Sequence, residues 1–168
     1  MAIPRSLANF AAYADAGTAG PTVNGLSAGK GAGQVASNTA FGVSALGANT
    51  TGANNVAVGY QALDANTTGA FNTAVGSIAL GANTTGQKNV AVGYWAMEQS
   101  VGSQNCVAVG YGALDSTTAG DNNTAIGYQV LYANTGDRNT AVGAAALDAN
   151  TSASDLTAVG YNALCALS

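Results

Sequence analysis

Glycines stand at positions 42, 59, 76, 93, 110, 127, 143 and 160, and each closes the string A-V-G, with Phe41 or Ile126 replacing Val in two copies. The interval is 17 residues everywhere except between Gly127 and Gly143, where it is 16. A fixed short period is the signature of a solenoid, in which each copy is one rung touching only the rungs above and below. Eight copies fill residues 38–168. At about 4.8 Å per rung, they would make a rod of about 38 Å.

Within a rung the first residue is Asn at 38, 55, 72, 89, 123 and 139, and Thr or Val, Ala, an apolar residue and Gly follow. Four residues after the glycine comes Leu or Met (46, 63, 80, 97, 114, 131, 147, 164), preceded by Ala or by Val130. This pattern predicts two short strands per rung, one around T-A-V-G and one around A-L-x-A. The second is closed by N-T-T-G, whose Asn and Gly supply turn chemistry and positive φ. The residue missing from the sixth copy falls in that turn, at Asn134-Thr135-Gly136, where its loss shifts no strand register. Stacking places equivalent Asn side chains above one another, a geometry for hydrogen-bonded ladders.

Successive strand residues face opposite sides. Ala57 and Val58 are both apolar, as are Ala62 and Leu63, and the other copies agree. A strand apolar on both faces needs cover on both. One layer is the other half of the same rung; a second copy of the chain is the simplest source of the other, so a homo-oligomer is expected. The rows assigned to the roll core and the contact between copies are Val58, Val75, Val92, Val109, Ile126, Val142 and Val159, with Leu63, Leu80, Met97, Leu114, Leu131 and Leu147.

Composition agrees with a thin, repetitive body. The 168 residues include 23 glycines, only 7% are charged, and the 48% hydrophobic content is carried mainly by Ala and Val. Disordered chains lack such regularly spaced aliphatics and carry more charge. The net charge of −4, with Arg5, Lys30, Lys88 and Arg138 the only cations, leaves no basic patch for nucleic acid or anionic lipid. No apolar run in the amino-terminal stretch suits a signal peptide or membrane insertion, so folding in a cytoplasm is expected, with Cys106 and Cys165 as free thiols. Histidine is absent, which removes Ser-His and Cys-His catalysis, and GKGAG at 29–33 lacks the spacing of a phosphate loop. No catalytic residue, metal site or cofactor is predicted.

The rung N-T/V-A-V-G-Y-x-A-L resembles the head repeats of trimeric autotransporter adhesins of the YadA type, which also occur in phage tail-fibre and virion proteins. The resemblance spans residues 38–168. It implies an all-β, left-handed parallel β-roll in which three intertwined chains bury apolar rows along a common axis. The period of 17 exceeds the 14 to 16 usual in that family. With neither export signal nor membrane anchor in the sequence, the reading is a virion component assembled in a host cytoplasm: a fibre or spike that adheres to the host surface. The alternatives are a capsid decoration trimer, the excised head of a bacterial adhesin, and an ice-binding solenoid suggested by the threonine pairs Thr50-Thr51, Thr67-Thr68 and Thr84-Thr85.

Residues 1–37 form no rung. Ser6 is placed to cap a helix carrying Leu7, Phe10, Ala11, Tyr13 and Ala14, and a Gly-rich stretch follows. Two readings stand side by side: a virion anchor at Leu7, Phe10 and Tyr13 joined by an extended linker and docking on other virion proteins, or a helical cap on the first rung. Tyr60, Tyr94, Tyr111, Tyr128 and Tyr161 follow the rung glycines, and Trp95 and Tyr132 add to them. These aromatics are candidates for recognising a host glycan or protein, weighed against packing at the strand corner or between subunits. Asp64, Glu98, Asp115 and Asp148 form an interrupted acidic row, read as a solvated edge in preference to a calcium row. The sequons at Asn49, Asn66, Asn83, Asn122 and Asn150 need no glycan in a protein that is never secreted from a eukaryotic cell.

Overall fold

A computed structural model describes residues 22–23, 26–115 and 120–165. Eight strands of three residues stack in parallel: β3 (Thr39–Phe41), β4 (Val56–Val58), β5 (Thr73–Val75), β6 (Val90–Val92), β7 (Val107–Val109), β8 (Thr124–Ile126), β9 (Thr140–Val142) and β10 (Thr157–Val159). Each pairs with the next in sequence, Ala57 opposite Ala74 and Ala74 opposite Ala91. The molecule is therefore an all-β solenoid with one strand per rung. The shortened copy keeps register, Ala125 facing Ala141, because the chain shortens in the turn.

The inner side of the stack is made of two columns. Ala at the strand centre (Ala57, Ala74, Ala91, Ala108) and Leu or Met from the far side of the rung (Leu63, Leu80, Met97, Leu114) are fully buried. With Ala on one wall, the two sides of a rung approach closely, and one Leu per layer fills the space between them. This accounts for a folded protein with so few large side chains.

The expected second strand is absent. Residues 60–64 form a succession of turns in which Gln61 and Leu63 have φ of 52° and 51°, a pattern that recurs in the other rungs. Ala62 and Leu63 consequently both point inward, rather than to opposite faces. The backbone here alternates its bonds: Gln61 N–H donates back to Val43 O, Ala62 N–H to Gly59 O within the rung, and Leu63 N–H forward to Ala79 O. A left-handed conformation costs an L-residue about 1–2 kcal/mol. Leucine tolerates it in this position because burial of its side chain is worth about 1.5–3 kcal/mol and stacked neighbours hold the backbone.

The N-T-T-G glycines are required for a different reason than expected. Gly52, Gly69 and Gly86 of N-T-T-G do not have positive φ; a side chain on them would strike the carbonyl of the next turn, as Gly69 shows against Gly86. Positive φ comes two residues later, at Asn54, Phe71, Lys88, Asn105, Asn122, Arg138 and Asp155. The A-V-G glycines are required on both grounds: Gly76 has φ of 139°, and a Cβ there would meet the backbone of Gly93. This contact is where rung touches rung without any side chain between.

Two columns of buried Asn complete the interior. In the strand-entry column, Asn55 Oδ1 accepts from Asn72 N–H at 2.9 Å and Asn55 Nδ2 donates to Gly69 O at 2.8 Å, so each side chain ties its own rung to the backbone of the next. In the turn column the amides bond each other, Asn66 Nδ2 to Asn49 Oδ1 and Asn83 Nδ2 to Asn66 Oδ1, both at 2.9 Å. Only the turn column is thus a side-chain ladder. It breaks at Ser100, which replaces Asn, and Asn83 Oδ1, Ser100 Oγ and Ser103 Oγ are buried without hydrogen-bond partners.

The segment before the first rung is not wholly an extended linker. β1 (Thr22–Val23) and β2 (Leu26–Gly29) form an antiparallel hairpin, β2 pairs antiparallel with β3, and a short 3₁₀ turn at Ala32–Gln34 follows. Ala32 N–H donates to Leu46 O at 2.9 Å, and a Cβ on Gly33 would strike Thr50 O. The glycines of GKGAG therefore let the chain lie flat on the amino end of the stack. Leu7, Phe10 and Tyr13 lie outside the described residues, as does the Ser6-capped helix.

Two substitutions separate these roles. Lys88→Gly, at an exposed positive-φ site, is expected to stabilise the fold by about 0.5–1 kcal/mol. Gly76→Ala is expected to destabilise by at least about 3 kcal/mol, since it adds strain and a backbone clash. Urea denaturation measures both. Cys106 occupies a strand-entry Asn position, its Sγ 3.4 Å from Gly120 O. Cys106→Asn is expected to restore the paired amide bonds and raise stability by about 1 kcal/mol, read as an increase in Tm.

Candidate functional site

Among the described residues the interior columns are mainly Ala, Leu or Met and hydrogen-bonded Asn, so the side chains open to a partner lie on the outer columns. Side chains flanking the central Ala of each strand point outward. Val75 and Val92 are 36% exposed, Ile126 40% and Val159 71%, while Val58, Val109 and Val142 are half-buried. The predicted apolar rows therefore divide. The Leu and Met row is the core of the roll, and the Val and Ile row is a flat apolar stripe on its outer face.

At the edge of that stripe the chain turns at the rung glycine and presents the tyrosine column. Tyr94 and Tyr111 stack with centroids 5.6 Å apart and planes within 24°, and Tyr111 and Tyr128 at 5.3 Å and 16°. Trp95 leans on Tyr94 at 4.5 Å and on Tyr111 at 5.9 Å. These rings pack on one another at the strand corner, and on the single chain the tyrosines remain exposed while Trp95 is half-buried. Tyr60 and Tyr161 belong to the same column without a stacked neighbour, since Ser77 and Ala144 interrupt it. Tyr132 lies on a different corner, in the column that follows Leu.

That column holds the acids. Asp64, Glu98, Asp115 and Asp148 share it with Gly47, Gly81 and Tyr132, and acids fold back over the glycines: a Cβ on Gly47 would strike Asp64 Oδ1, and one on Gly81 would lie 3.8 Å from Glu98 Cγ. A shallow groove of about 230 Å³ opens where Gly81 leaves the row, lined by Gln61, Asp64, Ile78, Gly81, Ala82 and Glu98. Among the described residues, no group of three or more His, Cys, Asp or Glu is arranged to hold a metal ion. Nor is any helix among them long and apolar enough to cross a membrane.

Asp115 departs from the solvated edge expected of this row. It is buried, one oxygen lacks a hydrogen-bond partner, and its carboxyl is pushed up to about 6. Burial is the main cause and the Glu98 charge the second, opposed by the Glu98 backbone and the Tyr132 hydroxyl. Cys106 is a buried free thiol pushed up to about 11 by burial, so it stays protonated. The first threonine of each pair donates its hydroxyl to the next turn, Thr50 Oγ1 to Thr67 O at 2.8 Å and Thr67 Oγ1 to Thr84 O at 3.0 Å. These hydroxyls are engaged in the turn. The sequon residues Asn49, Asn66, Asn83 and Asn150 are buried within the stack.

Comparison of the chain with protein-family models, with curated proteins and with solved structures finds no match.

The raised carboxyl of Asp115 fixes the sign of a pH effect. Between the ordinary Asp value of 3.8 and about 6 the folded chain holds a proton that the unfolded chain has released. The stability linked to this group is complete below about pH 4 and is lost as pH rises through 6. Asp115→Asn is expected to match the parent at pH 3.5 and to exceed it at pH 7.5, which chemical denaturation at the two pH values measures.

Proposed function

We propose that this chain is a non-enzymatic structural protein of a virion, assembling as a homotrimer into a fibre or spike whose aromatic corner contacts the host surface. The observation that carries the assembly is the outer stripe. Val75, Val92 and Ile126 repeat on a flat parallel sheet at one residue per rung, each more than a third exposed. Natural sheets rarely leave such a face open to water, because a regular apolar strip several rungs long is an association surface. Three copies turning their stripes inward would bury this strip and leave the tyrosine and acidic columns facing out. The resemblance of the rung to trimeric adhesin heads supports that number of copies, and its occurrence in phage fibres supports the virion setting. The rigidity needed for such a shaft follows from the Asn columns and the continuous backbone ladder. Cell-surface contact is assigned to the tyrosine column because exposed stacked aromatics combine large apolar area with hydroxyl edges.

Val92→Asp is expected to convert the trimer to a monomer with an unchanged far-ultraviolet circular dichroism spectrum, because it alters the outer stripe alone. Asn162→Asp, on the adjacent corner, is expected to leave the trimer intact. Sedimentation velocity of the intact chain decides: a parent protein that stays monomeric at micromolar concentration overturns the assembly.

A further inference from the structure

The tyrosine column is complete only in its middle. After Tyr128 comes Ala144, and after that Tyr161, so two exposed rings are separated by one rung that carries only a methyl group. The backbone beneath is unbroken: Ala145 N–H donates to Tyr128 O at 2.9 Å and Asn162 N–H to Ala144 O at 3.0 Å. The gap is therefore a slot with a rigid floor. The neighbouring corner column repeats the pattern, with Gln129, Ala145 and Asn162 in successive rungs. Each wall thus pairs a phenol ring with a side-chain amide, and the floor is two alanines. Tyr128 is 54% exposed and Tyr161 79%, against 41% for Tyr94 and Tyr111 inside the ladder.

We propose that the slot between Tyr128 and Tyr161, floored by Ala144 and Ala145, binds one neutral hexopyranose unit of a glycan. This inference rests on the host-contact part of the reading above and names its ligand class. Two rungs span about 10 Å. A flat aromatic ring in contact with both faces would need a gap of only about 7 Å, two contacts of about 3.5 Å, whereas a puckered saturated ring with axial hydrogens on both faces is thicker and fills more of the gap. The electron-rich face of Tyr128, whose ring stacks on Tyr111 on its other side, attracts the polarised C–H bonds of such a ring, and Tyr161 bounds the far end of the gap. The amides of Gln129 and Asn162, each both donor and acceptor, match the dual character of equatorial hydroxyls, and neither is hydrogen-bonded through its side chain among the described residues. No charged residue belongs to the six positions, so a uronic or sialic acid finds no cation there.

The intact chain is titrated with methyl hexopyranosides of gluco, galacto and manno configuration, and with methyl glucuronide, using saturation-transfer NMR and tyrosine fluorescence. At least one neutral hexoside is expected to bind with Kd on the order of millimolar, and the glucuronide at least tenfold more weakly. Ala144→Tyr, which fills the slot, and Tyr161→Ala, which removes a wall at an exposed position, are each expected to weaken binding at least tenfold. Tyr111→Phe, inside the ladder, is expected to leave it unchanged. Absence of binding by all three neutral hexosides overturns the proposal, as does equal binding by Ala144→Tyr and Tyr161→Ala. Sedimentation of the same samples reports on assembly separately. A change of oligomeric state in Ala144→Tyr without loss of sugar binding makes the slot a contact between copies and also overturns it.

Discussion

The structure depends on backbone-to-backbone contact between equivalent residues of successive rungs. At the rung glycine there is no room for a side chain, because the carbonyl of the next glycine occupies the position where a Cβ would sit. That approach fixes rung spacing, and the spacing fixes the rest. Three-residue strands pair in register, alanines stack into one wall, and the two Asn columns reach the next rung with bonds of 2.8 to 2.9 Å. A rung by itself would keep three left-handed residues and very little buried area, a conformation too costly to persist. Strain of about 1–2 kcal/mol at each such residue is sustained only where neighbours above and below hold it. Stability is therefore a property of the stack, as the nearest-neighbour physics of repeat proteins requires.

How much of this was legible in the sequence follows from which residues carry a local signal. The period, the parallel stacking and the T-A-V-G strand could be read directly, because a residue and its equivalent 17 positions later must face the same neighbours. The location of the shortened copy in the turn was legible for the same reason: only a turn absorbs a deletion without moving Ala125 off Ala141. The Leu segment was not. Ala62 and Leu63 read as an alternating strand, and nothing in a leucine announces φ of 51°. Tertiary stacking imposes that conformation against the residue's own preference. The second left-handed column did carry a signal, since Asn54, Asn105, Asn122 and Asp155 are residue types that tolerate it. Phe71 and Lys88 at the same place masked it.

The candidate surface was legible in identity but not in arrangement. Tyrosine after each rung glycine could be found by inspection, whereas its exposure followed only once the strand was known to end at that glycine. Burial of Asp115 was hidden because its column is mixed. An acid flanked by Glu98 and Tyr132 is shielded where one flanked by glycines is not. The division of the apolar rows had a similar cause. Val58 and Leu63 look alike as hydrophobic repeats, yet one is the outer residue of a strand and the other the plug between walls.

The repeat itself sorts structure from function without reference to any other protein. Columns that hold the solenoid together vary little: Ala at the strand centre, Leu or Met as the plug, Gly at the contact, Asn at the two ties. Where these do vary, as at Ser100, Ser103 and Cys106, the cost is visible as buried polar atoms without partners or a thiol in place of an amide. The corner columns vary freely, with Val43, Tyr60, Ser77, Tyr94 and Ala144 at one position and Gln61, Ile78, Trp95 and Ala145 at the next. Stacking constrains their backbone and leaves their side chains open to other demands. A rigid scaffold with eight addressable positions per column can set two rings one rung or two rungs apart. The spacing of ligand contacts is then written in steps of about 4.8 Å.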